Sequence, residues 1–352
     1  MKDTELSIII PVYNGQDYIV RCMDSIMRQQ GADQYEIIVV DDGSADDTPK
    51  ILDAAANVYK NIRVIHQKNA GVSVARNNGI VASHGKYVTF VDIDDMVGLK
   101  DKAFDEYFFG NDPRCFRYAG ELIINNTHDF PDTLSDKHFD DGYFVNMLHV
   151  AYKTNADVIL GGKIDINRDE WYMRQYNHKS ENIYSSAPND KGRALEEANG
   201  RESANFALYK REMLNMHNLR FMVNMNLDED ILFCMLAVLR ANTVATVPDV
   251  TYFYDRHVGT LSNMSDLEKY QKQAEIATDL RFSVLLTELA KIPQYKNVFS
   301  YWMHEYSQKP CQNRKPDCKY DEDCTHCPIA VKIMEECNRN INVFCNQTEI
   351  QK

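Results

Sequence analysis

The 352-residue sequence has neither an apolar run long enough to cross a bilayer nor an excess of positive charge. Its longest apolar stretches, such as Leu6–Val12, fall well below the roughly 20 residues of a membrane-spanning helix. The acidic N-terminus does not resemble a secretory signal, so the expected compartment is the cytoplasm. A net charge of −13 argues against nucleic acid as a partner, because binding a phosphate backbone requires clustered lysine and arginine.

Cysteine is scarce in the body of the chain. Cys22, Cys115 and Cys234 lie singly, in a segment long enough to bury a core without disulfides, and the other six cysteines follow residue 310. The apolar share of 44% and the aromatic share of 11% are those of a globular protein. The length suggests one large domain with an appended module. Because the net charge is negative, the binding of an anionic ligand would need a local source of positive charge such as a metal ion.

Short apolar runs alternate with helix-like segments over the first hundred residues. The runs are LSIIIPVY, EIIVVDD, NIRVIHQ and KYVTFVD. Between the first two runs, Ile19, Met23 and Ile26 recur at helical spacing, and Thr48-Pro49 suits the first turn of a second helix. This alternation is typical of βαβ units, so we predict an α/β fold with a Rossmann-like, mostly parallel sheet covered by helices on both faces.

The pattern is less regular in the rest of the chain. We expect an irregular insertion with some helix between Gly98 and Phe144, and a polar, mobile stretch between Asn167 and Arg193. Helices are predicted at Val145 to Thr154 and in DEDILFCMLAVLRA, and extended segments in ADVILGG, FALYK and VATVPDVTYFY. Beyond residue 265 the apolar spacing is helical throughout, which predicts a helical extension.

Acidic residues follow two of the predicted strands. The second strand ends in Asp41-Asp42-Gly-Ser, and the fourth ends in Asp92-Ile-Asp94-Asp95. In an open parallel sheet, ligands bind beyond the carboxyl ends of the strands. The first cluster could instead form a turn that caps a helix, and the second a solvated loop. Carboxylates at neighbouring strand ends repel each other unless a cation neutralises them, and hard divalent cations prefer such oxygens.

Four ordered segments resemble the successive signatures of the inverting family 2 glycosyltransferases, which have the GT-A fold. These segments are SIIIPVYN, EIIVVDDGSADDT, NAGVSVARNNGI and YVTFVDIDD. The resemblance resumes at FALYKREML, DEDILF and TYFYDRHVGTLS, and covers about residues 5–262. It implies metal-dependent transfer of a hexosyl or N-acetylhexosaminyl group from a nucleoside diphosphate sugar, with uridine diphosphate as the expected carrier. The implied acceptor is a glycan or a lipid-linked glycan, as in bacterial polysaccharide synthesis, which would place the enzyme at the inner face of the membrane.

The resemblance also implies roles for the matching residues. Residues implied at the nucleotide are Pro11, Tyr13, Asp41, Asp42, Arg76 and Asp92. Asp42, with Asp41 as the alternative, would accept a hydrogen bond from the base, and a surface position on a helix is the alternative for Arg76. Asp94 would bind Mn²⁺ or Mg²⁺ with help from Asp92 and His257, while Asp95 would contact the donor sugar and Arg256 the diphosphate.

Glu229 and Asp230 resemble the Glu-Asp pair of the family at the start of a helix, where the aspartate is the catalytic base. The alternative for these carboxylates is a structural role at the helix N-terminus, which favours negative charge. Asp228 adds a third carboxylate and leaves the choice of base open.

The resemblance divides the chain into a catalytic domain of residues 1–264 and a helical, cysteine-rich extension of residues 265–352. The nucleotide-binding half would span residues 1–97 and the acceptor half residues 145–264. In the extension, Cys311, Cys318, Cys324 and Cys327 could hold structural Zn²⁺, form disulfides or remain reduced. Two rival functions stay open, a nucleotidyltransferase with a similar nucleotide-binding half and a noncatalytic scaffold of the same fold.

Overall fold

The computed structural model describes residues 4–98, 115–118, 121–124, 133–134, 142–167, 172–176, 178, 180–198, 203–225, 227–248, 252–256, 267–306, 331–335, 337–339 and 341. The N-terminal part alternates strands and helices as predicted. Its strands are β1 (Leu6–Val12), β2 (Glu36–Asp41), β3 (Ile62–His66) and β4 (Tyr87–Phe90). The intervening helices are α1 (Ile19–Met27), α2 (Thr48–Val58) and α3 (Val72–Ala82).

The two faces of this sheet are buried in different clusters. Ile9 of β1 packs with Ala75 and Ile80 of α3, whereas Ile8 packs with residues of α1 and α2. Because side chains alternate along a strand, a strand covered on both faces is a continuous apolar run. Gly79 allows α3 to lie against β1, since a Cβ there would meet Ile9 Cγ2 at 2.3 Å.

The second half extends the same sheet. Its elements are β5 (Met96–Val97), α4 (Tyr143–Thr154), β9 (Val158–Leu160), α5 (Pro188–Ala198), β13 (Ala207–Lys210), α6 (Arg211–Met216), α7 (Glu229–Arg240) and β14 (Val244–Thr246). With β12 (Ile183–Tyr184), the sheet has the strand order β12-β14-β9-β13-β4-β1-β2-β3. The pairs β1–β2, β1–β4, β2–β3 and β9–β14 are parallel, while β13 is antiparallel to both of its neighbours. The predicted mostly parallel sheet is therefore confirmed.

Two smaller sheets correct the expectations for the irregular segments. The first joins β10 (Lys163–Asn167), β11 (Tyr172–Tyr176), β15 (Tyr252–Arg256) and β5 in the order β11-β10-β15-β5. The second is an antiparallel set of β6 (Cys115–Tyr118), β7 (Glu121–Ile124) and β8 (Thr133–Leu134). The segment from Asn167 to Arg193 thus contains strands and the start of α5, and the insertion contains three strands where we expected some helix.

The C-terminal helices pack on the body of the protein. They are α8 (Leu267–Ala290) and α9 (Lys296–Tyr306), with further helical residues at 331–335 and 337–339. Leu285, Trp302 and Cys337 lie in the same hydrophobic cluster as Phe233 and Val238 of α7. A helical extension is confirmed, while a domain boundary at residue 264 stays a prediction. Within the described residues, no helix combines the length and apolar character that crossing a membrane requires.

Candidate active site

The acidic clusters lie at the carboxyl ends of two parallel strands, β2 and β4, that β1 separates. Asp41 ends β2, and Asp92 follows β4 by two residues. Both strands pair with β1, so the two clusters flank the end of β1. The predicted grouping of carboxylates at one edge of the sheet is confirmed.

The guanidinium of Arg76 links two parts of this edge. Its Nη2 donates to Asp92 Oδ1 at 2.7 Å, and its Nη1 donates to Glu229 Oε1 at 2.8 Å. Arg76 is 3% exposed, and its guanidinium also lies 5.2 Å from the ring centre of Phe221. The alternative of a surface arginine is therefore wrong. Arg76 joins the end of β4 to the start of α7.

Asn205 is a second partner of Asp92 that the sequence did not indicate. Its amide Nδ2 donates to Asp92 Oδ2 at 2.7 Å, and its side chain is buried. The backbone N–H of Asp92 donates to Tyr252 Oη at 3.1 Å. Both carboxylate oxygens of Asp92 are thus held by protein donors.

Asp94 is partly exposed, next to the fully buried Asp95. Burial, and then the negative charge of Asp92, raises the pKa of Asp94 to about 7. The Nη2 of Arg21 donates to the backbone carbonyl of Asp94 and leaves the carboxylate oxygens without that contact. A partly exposed carboxyl in a negative environment can act as a metal ligand, and a bound cation would stabilise its ionised form.

Asp95 has a different environment from the one we expected. It is fully buried, its Oδ2 accepts a hydrogen bond from Tyr252 Oη at 2.7 Å, and its Oδ1 accepts one from the Asp255 N–H at 3.0 Å. Burial raises the pKa of Asp95 well above its ordinary value. The carboxylate of Asp95 thus anchors β15, and its expected contact with the donor sugar stays a prediction. The alternative of a solvated loop is wrong for this residue.

Asp41 and Asp42 are buried and bonded within the protein. Asp42 Oδ1 accepts from the N–H of Ala70 at 2.8 Å, and Oδ2 accepts from the N–H of Gly71 at 2.8 Å. Asp41 accepts from Ser44 N–H at 3.0 Å and lies 2.7 Å from His66 Nδ1. Asp42 thus holds the residues that precede α3 without capping the helix, while the bond from Ser44 to Asp41 forms the turn of the alternative. Gln67 Nε2 also donates to Asp42 Oδ1 at 2.6 Å. A carboxylate oxygen has two lone pairs, so Oδ2 is the Asp42 oxygen that keeps acceptor capacity for a base.

The loops after β1 and β2 are tied together around Tyr13. The N–H of Asn14 donates to Ser44 Oγ at 2.9 Å, and Asn14 Oδ1 accepts from the N–H of Ala45 at 2.8 Å. Gly43 has a φ of +75°, and a Cβ there would meet the Asn69 backbone N at 2.7 Å. Pro11 is buried, whereas Tyr13 is 55% exposed. An exposed aromatic ring on rigid loops can stack on a base.

The start of α7 carries three carboxylates with different partners. Glu229 is buried against Arg76, and burial, followed by the charge of Asp230, raises its pKa to about 7. Asp230 is partly exposed, and its Oδ1 accepts from the Ile231 N–H at 2.8 Å. Asp228 lies 3.2 Å from Arg281. Asp230 is therefore the carboxylate of the expected pair that remains accessible.

Several predicted residues lie outside what the structure describes. Arg256 ends β15, but its side chain is not among the described ones, and His257 lies outside the described residues. The same holds for Cys311, Cys318, Cys324 and Cys327. Among the residues that the structure does describe, no cluster of three or more potential metal ligands is found, so protein side chains alone do not form a closed metal site there.

The comparisons with known proteins agree with this geometry. The profile of "Glycosyl transferase family 2" matches residues 7–98. "Putative glycosyltransferase EpsH" of Bacillus subtilis (strain 168) is 28% identical over 305 residues, which cover 84% of this chain and 73% of that protein. "Poly(ribitol-phosphate) beta-glucosyltransferase" of Bacillus spizizenii is 27% identical over 253 residues, which cover 71% of this chain and 32% of that protein.

A solved structure supports the same fold. S. aureus TarS 1–349 superimposes with a TM-score of 0.59 at 17% sequence identity, and the match covers 88% of this chain and 73% of that one. The matched family profile includes the strand ends that carry Asp41, Asp42, Asp92 and Asp94. Residues 7–98 therefore match the family 2 glycosyltransferases, and the chain has the GT-A fold.

Proposed function

We propose that the chain is a metal-dependent, inverting glycosyltransferase that moves a sugar from a uridine diphosphate sugar to a hydroxyl of a glycan or lipid-linked acceptor. The observation that carries this proposal is the bridge of Arg76 between Asp92 and Glu229. It couples the strand end where the nucleotide and metal would lie to the helix that carries the base. Donor and acceptor chemistry would then meet at one edge of the sheet.

The residues at this edge fit a divalent cation bound jointly with the substrate. Asp94 would be its main ligand, because Asp92 already accepts from Arg76 and Asn205. Hard cations with few protein ligands complete their shell with phosphate oxygens and water. When bound, Mn²⁺ or Mg²⁺ would stabilise the charge that develops on the departing diphosphate. The mannosyltransferase PcManGT from Pyrobaculum calidifontis, whose fold matches this chain with a TM-score of 0.50, has been solved with GDP-Man and Mn²⁺.

The chain's own residues would carry the remaining steps. Tyr13 would stack on the base, while Asp41 or Asp42 would accept a hydrogen bond from it. Asp230 would take the proton of the acceptor hydroxyl, a general-base role worth typically about 10²–10⁴-fold in rate. Glu229, fixed by Arg76, would hold the start of α7 in place. A single displacement at the anomeric carbon inverts its configuration.

The choice of uridine diphosphate rests on the structural neighbours. S. aureus TarS 1–349 has been solved with UDP and with UDP-GlcNAc. A hexosyl or N-acetylhexosaminyl donor is consistent with these complexes. The Bacillus spizizenii relative, a poly(ribitol-phosphate) beta-glucosyltransferase, supports a polymeric acceptor. A lipid-linked acceptor would place the enzyme at the periphery of the membrane.

Calorimetry tests the nucleotide and metal together. UDP should bind in the presence of Mn²⁺ and bind much more weakly after chelation, whereas absence of binding by any nucleoside diphosphate in either state contradicts the proposal. Asp230→Asn should keep Mn²⁺-dependent UDP binding and lose release of UDP from UDP-GlcNAc or UDP-glucose. Asp24→Asn, which changes an exposed carboxylate on α1, is the matched control and should leave both properties unchanged.

A further inference from the structure

Asp228 precedes the proposed base by two residues and has an unusual conformation. It is the N-cap residue of α7, yet its φ is +61° and its side chain makes no capping hydrogen bond to the helix. An N-cap aspartate ordinarily adopts extended backbone angles and accepts from an N–H of the first turn. The carboxylate of Asp228 is therefore held by something other than its own helix.

The partners of Asp228 come from α8. Arg281 Nη1 lies 3.2 Å from Asp228 Oδ2, and the hydroxyl of Thr278 donates to the same oxygen at 3.4 Å. Residues three apart share one face of a helix, so both donors face the start of α7. Helix α8, which lies outside the residues that match the family model, thus contacts the residue that directly precedes α7.

Apolar packing surrounds this contact. Met225, which precedes α7, and Leu232 of α7 form a buried cluster with Ala277 and Leu280 of α8. Arg281 is 9% exposed, so its charge lies largely out of water. Burial raises the pKa of Asp228, Arg281 opposes this effect, and the charge of Asp230 adds to it. A buried cation is strongly held where its counter-charge is fixed, and the loss of one partner leaves the other uncompensated.

We propose that Arg281 is a positioning residue: by holding Asp228 in its left-handed conformation from α8, it fixes the start of α7 and the direction of the Asp230 carboxylate. This inference rests on the proposed function, in which Asp230 is the base. The helical extension is then part of the catalytic apparatus. Arg281 itself does not touch the substrate.

A second ion pair between the same two helices supplies the matched control. Arg240, at the last turn of α7, pairs with Glu288 of α8. It lies 12 residues from Asp228, which is about 18 Å along a helix. If Arg281 only docks α8, loss of either pair should have the same effect. If it positions Asp230, the effects should differ.

The experiment compares Arg281→Met, Arg281→Lys and Arg240→Met in the full chain. UDP release from UDP-GlcNAc and UDP-glucose gives kcat and KM, and calorimetry gives the affinity for UDP with Mn²⁺. Arg281→Met should lower kcat at least tenfold while KM and UDP affinity change less than twofold. Arg281→Lys should recover much of the loss, because an ammonium can still face Asp228. Arg240→Met should keep kcat within twofold.

Hydrogen exchange gives a readout that does not depend on turnover. Amides in the first turn of α7 should exchange faster in Arg281→Met and remain unchanged in Arg240→Met, because local opening follows the loss of local contacts. Should Arg281→Met unfold, Arg281→Gln, which removes the charge but keeps a polar side chain, takes its place. A kcat at least tenfold below that of Arg240→Met sustains the positioning role, and an equal kcat overturns it.

The outcomes separate the two ideas. Equal kcat losses in Arg281→Met and Arg240→Met, or no loss in either, overturn the positioning role while an inactive Asp230→Asn sustains the proposed function. Full turnover by Asp230→Asn, or none by the unaltered chain, overturns the proposed function itself.

Discussion

Arg76 and Asp92 form an ion pair of 2.7 Å in which the arginine is almost wholly buried. The same guanidinium bonds to Glu229, which lies 153 residues away in the sequence. One buried cation therefore balances two carboxylates from separate parts of the chain. A buried charge is tolerated only when its partners are held in place. The bridge therefore fixes the positions of Asp92 and Glu229 relative to each other.

Arg76→Met should destabilise the protein strongly, because it leaves Asp92 and Glu229 without their cation. Loss of one partner of a buried pair costs about 3–5 kcal/mol. Thermal and urea unfolding at pH 7.5 measure this change. Lys60→Met, at an exposed position before β3, should cost less than about 0.5 kcal/mol, and an equally small loss in Arg76→Met would contradict the bridge.

Asp94→Asn should make the folded protein more stable and weaken its binding of UDP with Mn²⁺. The pKa of Asp94 is raised to about 7, so its favourable contribution to folding is present below pH 4 and is lost as pH rises through 7. The variant should therefore gain roughly 1–3 kcal/mol at pH 8 and little at pH 4. Unfolding at both pH values, with and without Mn²⁺ and UDP, checks this.

The strands around β1 could be predicted from the sequence because of how they are buried. A strand with helices on both faces is apolar at nearly every position, as in Leu6–Val12, where Ser7 is the polar exception, and carboxylates stand out where such a run ends. Lys163–Asn167 alternates polar and apolar residues over five positions, a signal too short to distinguish from a loop. The same reason explains the missed strands between Asn167 and Arg193.

The network beneath the site could not be predicted in the same way. Tyr252 donates to Asp95 across 157 residues, and Asn205 donates to Asp92 across 113. No local pattern marks such partners, because only the folded sheet brings them together. The motif identified Asp95 as a site residue, but its burial depends on β15, which folds back beside β5. Sequence order therefore indicated the acidic groups and not which of them reaches the surface.

His66 should make stability depend on pH near neutrality. Its hydrogen bond with Asp41, with a further contribution from Asp53, raises the pKa of His66 above its ordinary value. The resulting stabilisation is full below pH 6.5 and is lost as pH rises through the raised pKa. The unaltered chain should therefore melt above His66→Gln at pH 6, and the difference should shrink by pH 9. A difference between the two proteins that stays constant from pH 6 to pH 9 would refute the prediction.

Lys191 should stabilise the C-terminal end of the helix that carries the base. It is fully buried, and its ammonium donates to the backbone carbonyls of Val238 at 2.8 Å and Ala241 at 2.6 Å. The last carbonyls of a helix have no partners within it, and the dipole favours a cation there. Lys191→Met keeps the apolar stem but leaves these buried carbonyls without their donor.

We expect Lys191→Met to lower the free energy of unfolding by about 1–3 kcal/mol. Thermal unfolding measures this loss, and the exposed Arg193→Met on the same helix is the control, with an expected change below about 0.5 kcal/mol. Since Lys191 lies at the opposite end of α7 from Asp230, kcat should fall far less than in Arg281→Met. A comparable loss of kcat would mean that the whole of α7, and not its first turn, sets the position of the base.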